Sequence, residues 1–215
     1  TTITLTAGDI VNQNAFTLET FSSGKIMNST SPLNSDGSLQ SGSIDNLRYE
    51  IQSPDVDEGT FSLLIRRGND DTLNPVVLET FNNLSLDPKL PNYIEKIIGN
   101  QVESIQTDGS DKYLDVTGNY TNQSRYVRVK SVNTPTPDYL DNSGNPQTSF
   151  TSSLPITSTG SFGEAVGSNI PSTGDGLYYN NITDTQTQGL IATDYDNAIS
   201  LLKNKDEFQY NFITA

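Results

Sequence analysis

The sequence has no cysteine and no histidine among its 215 residues. The lack of cysteine excludes disulfides, thiolate chemistry and metal sites with thiolate ligands. The lack of histidine removes the commonest general base and the commonest metal ligand of proteins. A nucleophile would need Ser or Thr activated by Lys or a carboxylate, and nothing in the sequence positions such a pair. We therefore expect no enzymatic activity, no cofactor and no metal, with two carboxylates meeting in a glycosidase-like cleft as the remaining alternative.

Long apolar runs are missing too, since none approaches the roughly 18 to 20 residues that a membrane-spanning helix needs. The sequence shows no signal peptide and no initiating Met. It begins at Thr1 in the middle of an alternating pattern and stops at Ala215 directly after a strand-like run. We expect no membrane contact, and we interpret the chain as a piece of a longer polypeptide.

Basic residues are scarce, with 12 Lys and Arg against 26 Asp and Glu and a formal net charge of −14. This balance argues against nucleic-acid binding, because phosphate neutralisation needs clustered Lys and Arg. Nine of the twelve basic residues lie between Arg48 and Lys130, and none lies between Ser131 and Leu202. We interpret the acidity as a solvated surface that resists self-association, with an acidic face for a basic partner as the alternative.

Ser, Thr, Asn and Gly are abundant, and only 33% of the residues are apolar. This composition favours a mainly β or α+β fold, with antiparallel strands, a few short helices and long polar loops or insertions. We predict four segments. Residues 1–52 hold N-terminal strands and a polar loop region, and residues 53–132 form a β-rich core with a short helix. Residues 133–190 are a loop-rich insertion, and residues 191–215 form a helix and a strand that lead into a following α/β domain outside this chain.

Alternating apolar residues predict the individual strands. In the first segment they indicate strands around residues 3–5, 16–21 and 47–51, with a turn-rich stretch over 22–43. The densest apolar pattern lies further on, where Phe61, Leu63 and Ile65 share one face of a strand. Turn-forming residues at 68–71 then predict a hairpin to a second strand over 76–81. Two further strands are predicted over 101–106 and 125–132, the latter with Val127 and Val129 facing inward.

A short helix is predicted after the turn that Pro88 and Pro91 mark. Its apolar stripe is Tyr93, Ile94, Ile97 and Ile98. Asn92 is the predicted N-cap, and Gly99 stands where a C-cap glycine belongs.

Residues 133–189 are loop-like, and they could be a disordered linker or an ordered insertion. We favour partial order, because scattered apolar residues such as Tyr139 and Leu154 supply core material. After them, apolar residues from Tyr195 to Leu202 recur at helical spacing, and Asp194 is the predicted N-cap. Phe208, Tyr210 and Phe212 then alternate as in a strand.

Four polar motifs have both a functional and a plain interpretation. Asp108-Gly-Ser-Asp111, with Asp115 nearby, could hold Ca²⁺ but reads better as a turn between two strands. The acids at 55–58 are interpreted as the solvated start of a strand, and Gly174-Asp-Gly176 as a turn rather than a phosphate loop. Arg66 and Arg67 could grip a carboxylate, either internal or on a neighbour, although an exposed hairpin pair is the favoured interpretation.

Five stretches carry a family resemblance. Residues 61–67 read FSLLIRR, residues 77–85 read VLETFNNLS, and residues 91–98 read PNYIEKII. Residues 122–129 read NQSRYVRV and residues 196–215 read DNAISLLKNKDEFQYNFITA. In this order they are similar to two strands, a short helix, a returning strand and the approach to a larger α/β domain in the tail sheath proteins of contractile-tailed bacteriophages and related injection devices.

The resemblance implies a structural virion protein, part of a contractile tail sheath subunit. Such subunits form hexameric rings that stack into a helical sheath around the tail tube and contract to drive genome delivery. It also implies assembly in the host cytoplasm, contact with the tube protein through regions outside this chain, and variable outer-surface insertions over 22–45 and 133–190. The alternative is a β-rich surface or receptor-binding module that recognises host glycans or proteins.

Overall fold

The structure, a computed structural model, describes residues 2–7, 13–21, 47–68, 70–71, 73–162 and 192–210. The strands of these residues are β1 (Thr2–Ala7), β2 (Gln13–Thr20), β3 (Leu47–Asp55), β4 (Thr60–Arg67), β5 (Val77–Ser85), β6 (Val102–Asp108), β7 (Asp111–Thr117), β8 (Val127–Val132) and β9 (Ser158–Ser161). The helices are α1 (Ile94–Ile98), α2 (Thr148–Thr151) and α3 (Ala192–Leu202). The predicted fold class, mainly β with a few short helices, is confirmed.

The strands form three antiparallel sheets in the described part of the chain, with orders β1-β2-β8, β5-β4-β3-β9 and β6-β7. The first two sheets share one apolar core with α1, and we call this unit the body. Phe16 of β2 stacks on Phe61 of β4 with ring centroids 5.5 Å apart. The sheets are therefore joined by direct packing of their inner faces.

Alternation along the central strands places their apolar residues in this core, as the sequence predicts. Phe61, Leu63 and Ile65 of β4 are all buried, and Val127 and Val129 of β8 meet them from the other sheet. Successive side chains of a strand point to opposite faces, so a period of two fills one side only. The inward orientation predicted for both strands is confirmed.

The predicted hairpin between β4 and β5 is also present. The two strands pair from Thr60 with Ser85 to Arg66 with Val77, and the Arg67 N–H donates to the Val76 carbonyl at 2.9 Å. The turn therefore falls at the polar tip that the sequence indicates.

The predicted N-cap of the short helix is wrong. Helix α1 follows Tyr93, which makes no capping hydrogen bond through its side chain. Asn92 instead donates from Nδ2 to the carbonyl of Asn83 at 2.6 Å, so its side chain ties the helix start to the end of β5. Gly99 ends the helix as predicted. Its φ is +102°, and a Cβ there would lie 2.2 Å from the Cα of Asn122.

The insertion after β8 forms helix α2 and strand β9 within residues 133–162, while 163–190 lies outside the described residues, so partial order of the whole insertion stays a prediction. Its strand β9 pairs with β3 and extends the central sheet. Tyr139 packs its ring over Gly59 and donates its hydroxyl to the Val56 carbonyl at 2.7 Å. The insertion therefore closes the β3–β4 turn as well as one sheet edge.

The C-terminal helix is confirmed, but two details differ from the prediction. Helix α3 begins at Ala192, so Asp194 lies inside it and cannot be its N-cap. Phe208 and Tyr210 are not in a strand, because the Phe208 N–H donates to the Asn204 carbonyl and continues a turn. Phe212, the turn-rich residues 22–43 and the motif at 174–176 lie outside the described residues.

Candidate interaction surface

A buried ionic cluster lies beneath the β4–β5 turn. Arg66 donates from Nε to Asp70 Oδ2 at 2.8 Å and from Nη1 to Glu50 Oε2 at 2.6 Å. The side chains of Arg66 and Asp70 are 4% and 0% exposed. The hydrogen bond to Asp70, followed by that to Glu50, raises the pKa of Arg66 against the opposing effect of burial. The favoured interpretation of Arg66 as an exposed residue is wrong. Its guanidinium is buried and binds the carboxylates of Asp70 and Glu50 in the same chain, which is the alternative interpretation.

The same cluster fixes the tip loop, residues 70–76, of which 72 is not described. Asp70 Oδ2 also accepts the N–H of Val76 at 2.8 Å, which closes the base of the loop. Asp71 Oδ1 accepts the N–H groups of Asn74 at 2.6 Å and Leu73 at 2.8 Å, and the bond from Asn74 is the first cause of the lowered pKa of Asp71. The Leu73 side chain stands 91% exposed on this framework.

The second candidate region is the ribbon formed by β6, its turn and β7, residues 102–117. Its strands pair continuously from Val102 with Thr117 to Asp108 with Asp111. Gly109 begins the two-residue turn at φ +60°, the conformation that favours glycine at the first position of a type II′ turn. The predicted turn between two strands is therefore confirmed for this motif.

Two acids of that motif, Asp108 and Asp111, are opposite each other at the turn, and the third is distant from them. Asp115 lies four residues from Asp111, a distance of about 13 Å along an extended strand. No group of three or more acids that could hold a metal occurs among the described residues. The acids at 55–58 are exposed, and Asp55 Oδ1 accepts the N–H groups of Asp57 and Glu58 across the β3–β4 turn.

The base of the ribbon is held against the end of α1. Asn122 Oδ1 accepts the Gln101 N–H at 3.0 Å, and Asn122 Nδ2 donates to the Gln101 carbonyl at 2.8 Å. Gly118, at φ +105°, follows β7 where a Cβ would lie 2.5 Å from the carbonyl oxygen of Asn100. These contacts join the two ends of the ribbon to each other. The N–H groups of Gln123 and Ser124, at 2.8 and 3.2 Å from the Ile98 carbonyl, then attach this base to α1.

The ribbon exposes large apolar side chains. Leu114 and Val116 are two residues apart on one face of β7, and Ile105 is opposite Leu114 on β6. Helix α3 packs on β7, where Asn204 Nδ2 donates to the Lys112 carbonyl at 2.8 Å. We call the exposed apolar residues of the ribbon, the C-terminal helix and the segment after it the ribbon surface: Val102, Tyr113, Leu114, Val116, Ile199, Leu202 and Tyr210. Leu114 and Val116 lie on one face of the ribbon, and Val102 and Tyr113 lie on the other. Groups of exposed apolar residues mark interaction sites.

Acidic side chains lie on both faces of the ribbon, with Glu103 on the face of Leu114 and three aspartates on the face of Tyr113. The ribbon carries Glu103, Asp108, Asp111 and Asp115 against the single base Lys112. Either face of the ribbon can contact a partner through its apolar side chains and can attract a positively charged partner through the acids beside them.

Sequence reasoning gave the internal carboxylate contact of Arg66 only as the less favoured interpretation, and it missed the exposure of Leu73. The only local signal for the tip loop is a leucine between turn-forming Asp and Asn residues. In the part of the chain that the structure describes, no helix is long and apolar enough to cross a membrane. No protein-family model, no curated protein and no solved structure matches the chain.

Proposed function

We propose that the chain is part of a contractile tail sheath subunit, a structural virion protein that assembles around a tail tube and contracts to drive genome delivery. One observation carries the proposal. The stretches that resemble sheath proteins in the central block pack into one core, in which Leu84, Ile94 and Val127 are each fully buried beside Phe61. The resemblance thus rests on residues that specify a common body rather than on scattered surface positions.

In this proposal the body is the support and its projections make the contacts. Leu73 on the tip loop and the ribbon surface are the large apolar groups that a neighbouring subunit could bury. Copies of the subunit form hexameric rings that stack into a sheath within the virion after assembly in the host cytoplasm, and the tube protein binds regions outside this chain. Contraction exchanges one set of subunit interfaces for another.

The test is electron microscopy of the full-length protein that contains this chain. We expect six-fold rings or tubes at high protein concentration. The variants Leu73→Asp and Leu114→Asp should reduce the number of rings without unfolding the protein, because the parent side chains are 91% and 36% exposed. Thr107→Asp, at an exposed position without an apolar side chain, is the matched control and should leave the rings intact.

A strictly monomeric full-length protein that binds a glycan array would overturn the sheath proposal. That outcome would support the receptor-binding alternative. Assembly that is insensitive to both leucine variants would instead place the interfaces elsewhere on the subunit.

A further inference from the structure

In the described part of the chain, strand β6 has one edge without a partner strand, which we call the open edge. Within the described residues it pairs with β7 alone, and β6–β7 is a sheet of two strands. The opposite edge of the ribbon is different, because Asn204 after helix α3 donates to the carbonyl of Lys112 on β7. The ribbon therefore has one edge with a neighbour and one edge without a neighbour in the described part of the chain.

The alternation of hydrogen-bonded and non-hydrogen-bonded residue pairs between β6 and β7 determines which backbone groups of β6 face that open edge. In an antiparallel pair, hydrogen-bonded and non-hydrogen-bonded residue pairs alternate. The Lys112 carbonyl bonds to Asn204 outside the ribbon, so Thr107 and Lys112 form a non-hydrogen-bonded pair. Because the pattern repeats every two residues, the N–H and C=O groups of Glu103, Ile105 and Thr107 point away from β7. A third strand could bond to all of them.

The side chains along β6 restrict the chemistry of such a strand. Ile105 lies at the middle of β6 and continues the apolar face of Leu114. Glu103 and Asp108 are both exposed towards the two ends of the strand, Glu103 on the same face as Ile105 and Asp108 on the opposite face. A complementary strand would place an apolar residue beside Ile105 and Lys or Arg beside the two acids.

We propose that the β6 edge accepts an extended cationic segment of another protein as a third strand. Charge decides against a second copy of this chain, which would bring its own Glu103 and Asp108 to the edge and carries a net charge of −14. The proposal does not depend on the sheath assignment, because it follows from the ribbon's edge and its charges alone.

The experiment uses the 215-residue chain and synthetic peptides of about ten residues with an alternating strand pattern. One peptide carries Lys at two positions that match Glu103 and Asp108, a second carries Gln there, and a third carries Glu. We expect the Lys peptide to bind at least about tenfold more tightly than the Glu peptide, with an affinity that falls as salt is added. Amide exchange at Glu103, Ile105 and Thr107 should slow when it binds.

The decisive variant is Thr107→Pro, which removes an outward N–H. Edge strands tolerate proline where the N–H faces solvent, so the ribbon should keep its structure. The Lys peptide should bind Thr107→Pro at least about tenfold more weakly and bind the control Thr107→Val like the parent chain. Unchanged amide exchange at Gln106 and Tyr113, which bond across the ribbon, will show that it remains paired. If Thr107→Pro disrupts the pairing of β6 with β7, the double variant Glu103→Gln, Asp108→Asn replaces it in the test. This double variant should bind the Lys peptide about two- to tenfold more weakly than the parent chain does.

Several results would overturn the proposal. One is equal affinity of the three peptides, and another is undiminished binding to Thr107→Pro and to the double charge variant. Slow exchange of the three outward amides in dilute free protein would mean that a segment of the same chain covers the edge. Exchange that slows with protein concentration would assign the edge to a second copy. None of these results would affect the ring test of the sheath proposal.

Discussion

The body and the ribbon are both antiparallel β-structure, but among the described residues only the body has a core. Buried apolar residues from β2, β3, β4, β5, β8 and α1 form one cluster, and none of its described members lies in the ribbon. The ribbon has a continuous ladder of seven residue pairs and exposes most of its large side chains. A two-stranded hairpin alone is marginally stable in water. The ribbon therefore depends on its hydrogen-bonded base and on helix α3, while the body stabilises itself by burial.

The largest expected effect is on the ionic cluster of the body. Arg66→Met should lower the free energy of unfolding by up to about 3–5 kcal/mol, because it leaves the fully buried carboxylate of Asp70 with Arg48, 3.5 Å away and partly exposed, as its remaining charged partner. Lys112→Met on the ribbon is the matched control and should change stability by less than about 0.5 kcal/mol. Urea denaturation measures both. Equal effects would remove the energetic distinction between the two regions.

The second effect concerns apolar packing. Leu63→Ala should destabilise the protein by about 2–5 kcal/mol, since Leu63 is 0% exposed and its removal leaves a cavity. Leu114→Ala, at a side chain 36% exposed, should cost less than about 1 kcal/mol. The shift in the urea midpoint compares the two. A large loss in Leu114→Ala would mean that the ribbon surface is packed in solution.

These contrasts separate what the sequence could predict from what it could not. The alternation of β4 and β8 is local, so their inward faces were predictable from spacing alone. Strand β9 reads Ser-Thr-Gly-Ser, without an apolar signal. It pairs with β3 more than a hundred residues earlier in the chain, where Gly160 leaves room for the ring of Tyr49.

The candidate site was less predictable for the same physical reason. The turn of the ribbon follows from Asp108-Gly109, a local signal. The buried position of Arg66 depends partly on its hydrogen bond to Glu50, which lies on another strand. No local sequence pattern predicts that contact. The error at Asn92 is similar, because a good capping residue finds a different acceptor in Asn83 once β5 and α1 are packed together.

Two glycines with left-handed backbone, one in the turn between β3 and β4 and one in the turn of the ribbon, should differ in their tolerance of a side chain. Gly59 has φ +70° and lies under the ring of Tyr139, where a Cβ would be 2.5 Å from the ring. Gly109 has φ +60° and has nothing within 4 Å of that position. Alanine strains the backbone at both sites by about 1–2 kcal/mol. Thermal or urea unfolding should show Gly59→Ala to be about 1–3 kcal/mol more destabilising than Gly109→Ala, because only the first also clashes. Equal losses would mean that Tyr139 does not hold the turn.

The smallest expected effect is a loss of stability at low pH, which arises in two exposed loops. Backbone hydrogen bonds from Asn145 and Ser143 lower the pKa of Asp141, and a bond from Asn74 similarly lowers that of Asp71. A lowered pKa means that the ionised form stabilises the fold above the ordinary Asp pKa of about 3.9. This contribution should be lost progressively as the pH falls below about 4. Urea midpoints measured down that range should fall more steeply for the parent chain than for Asp141→Asn, whereas parallel curves would show that the loop's hydrogen bonds do not depend on the charge.

The most direct measurement of the central claim is native-state amide hydrogen exchange on the whole chain. We expect the β4 amides of Leu63 and Ile65 to exchange only through global unfolding, with a free energy that falls steeply as denaturant is added. The ribbon amides of Gln106 and Tyr113 should exchange through local opening, with a lower free energy that is nearly independent of denaturant. If the ribbon amides matched those of β4 in both free energy and denaturant dependence, the ribbon would belong to the cooperative core and the account would be wrong.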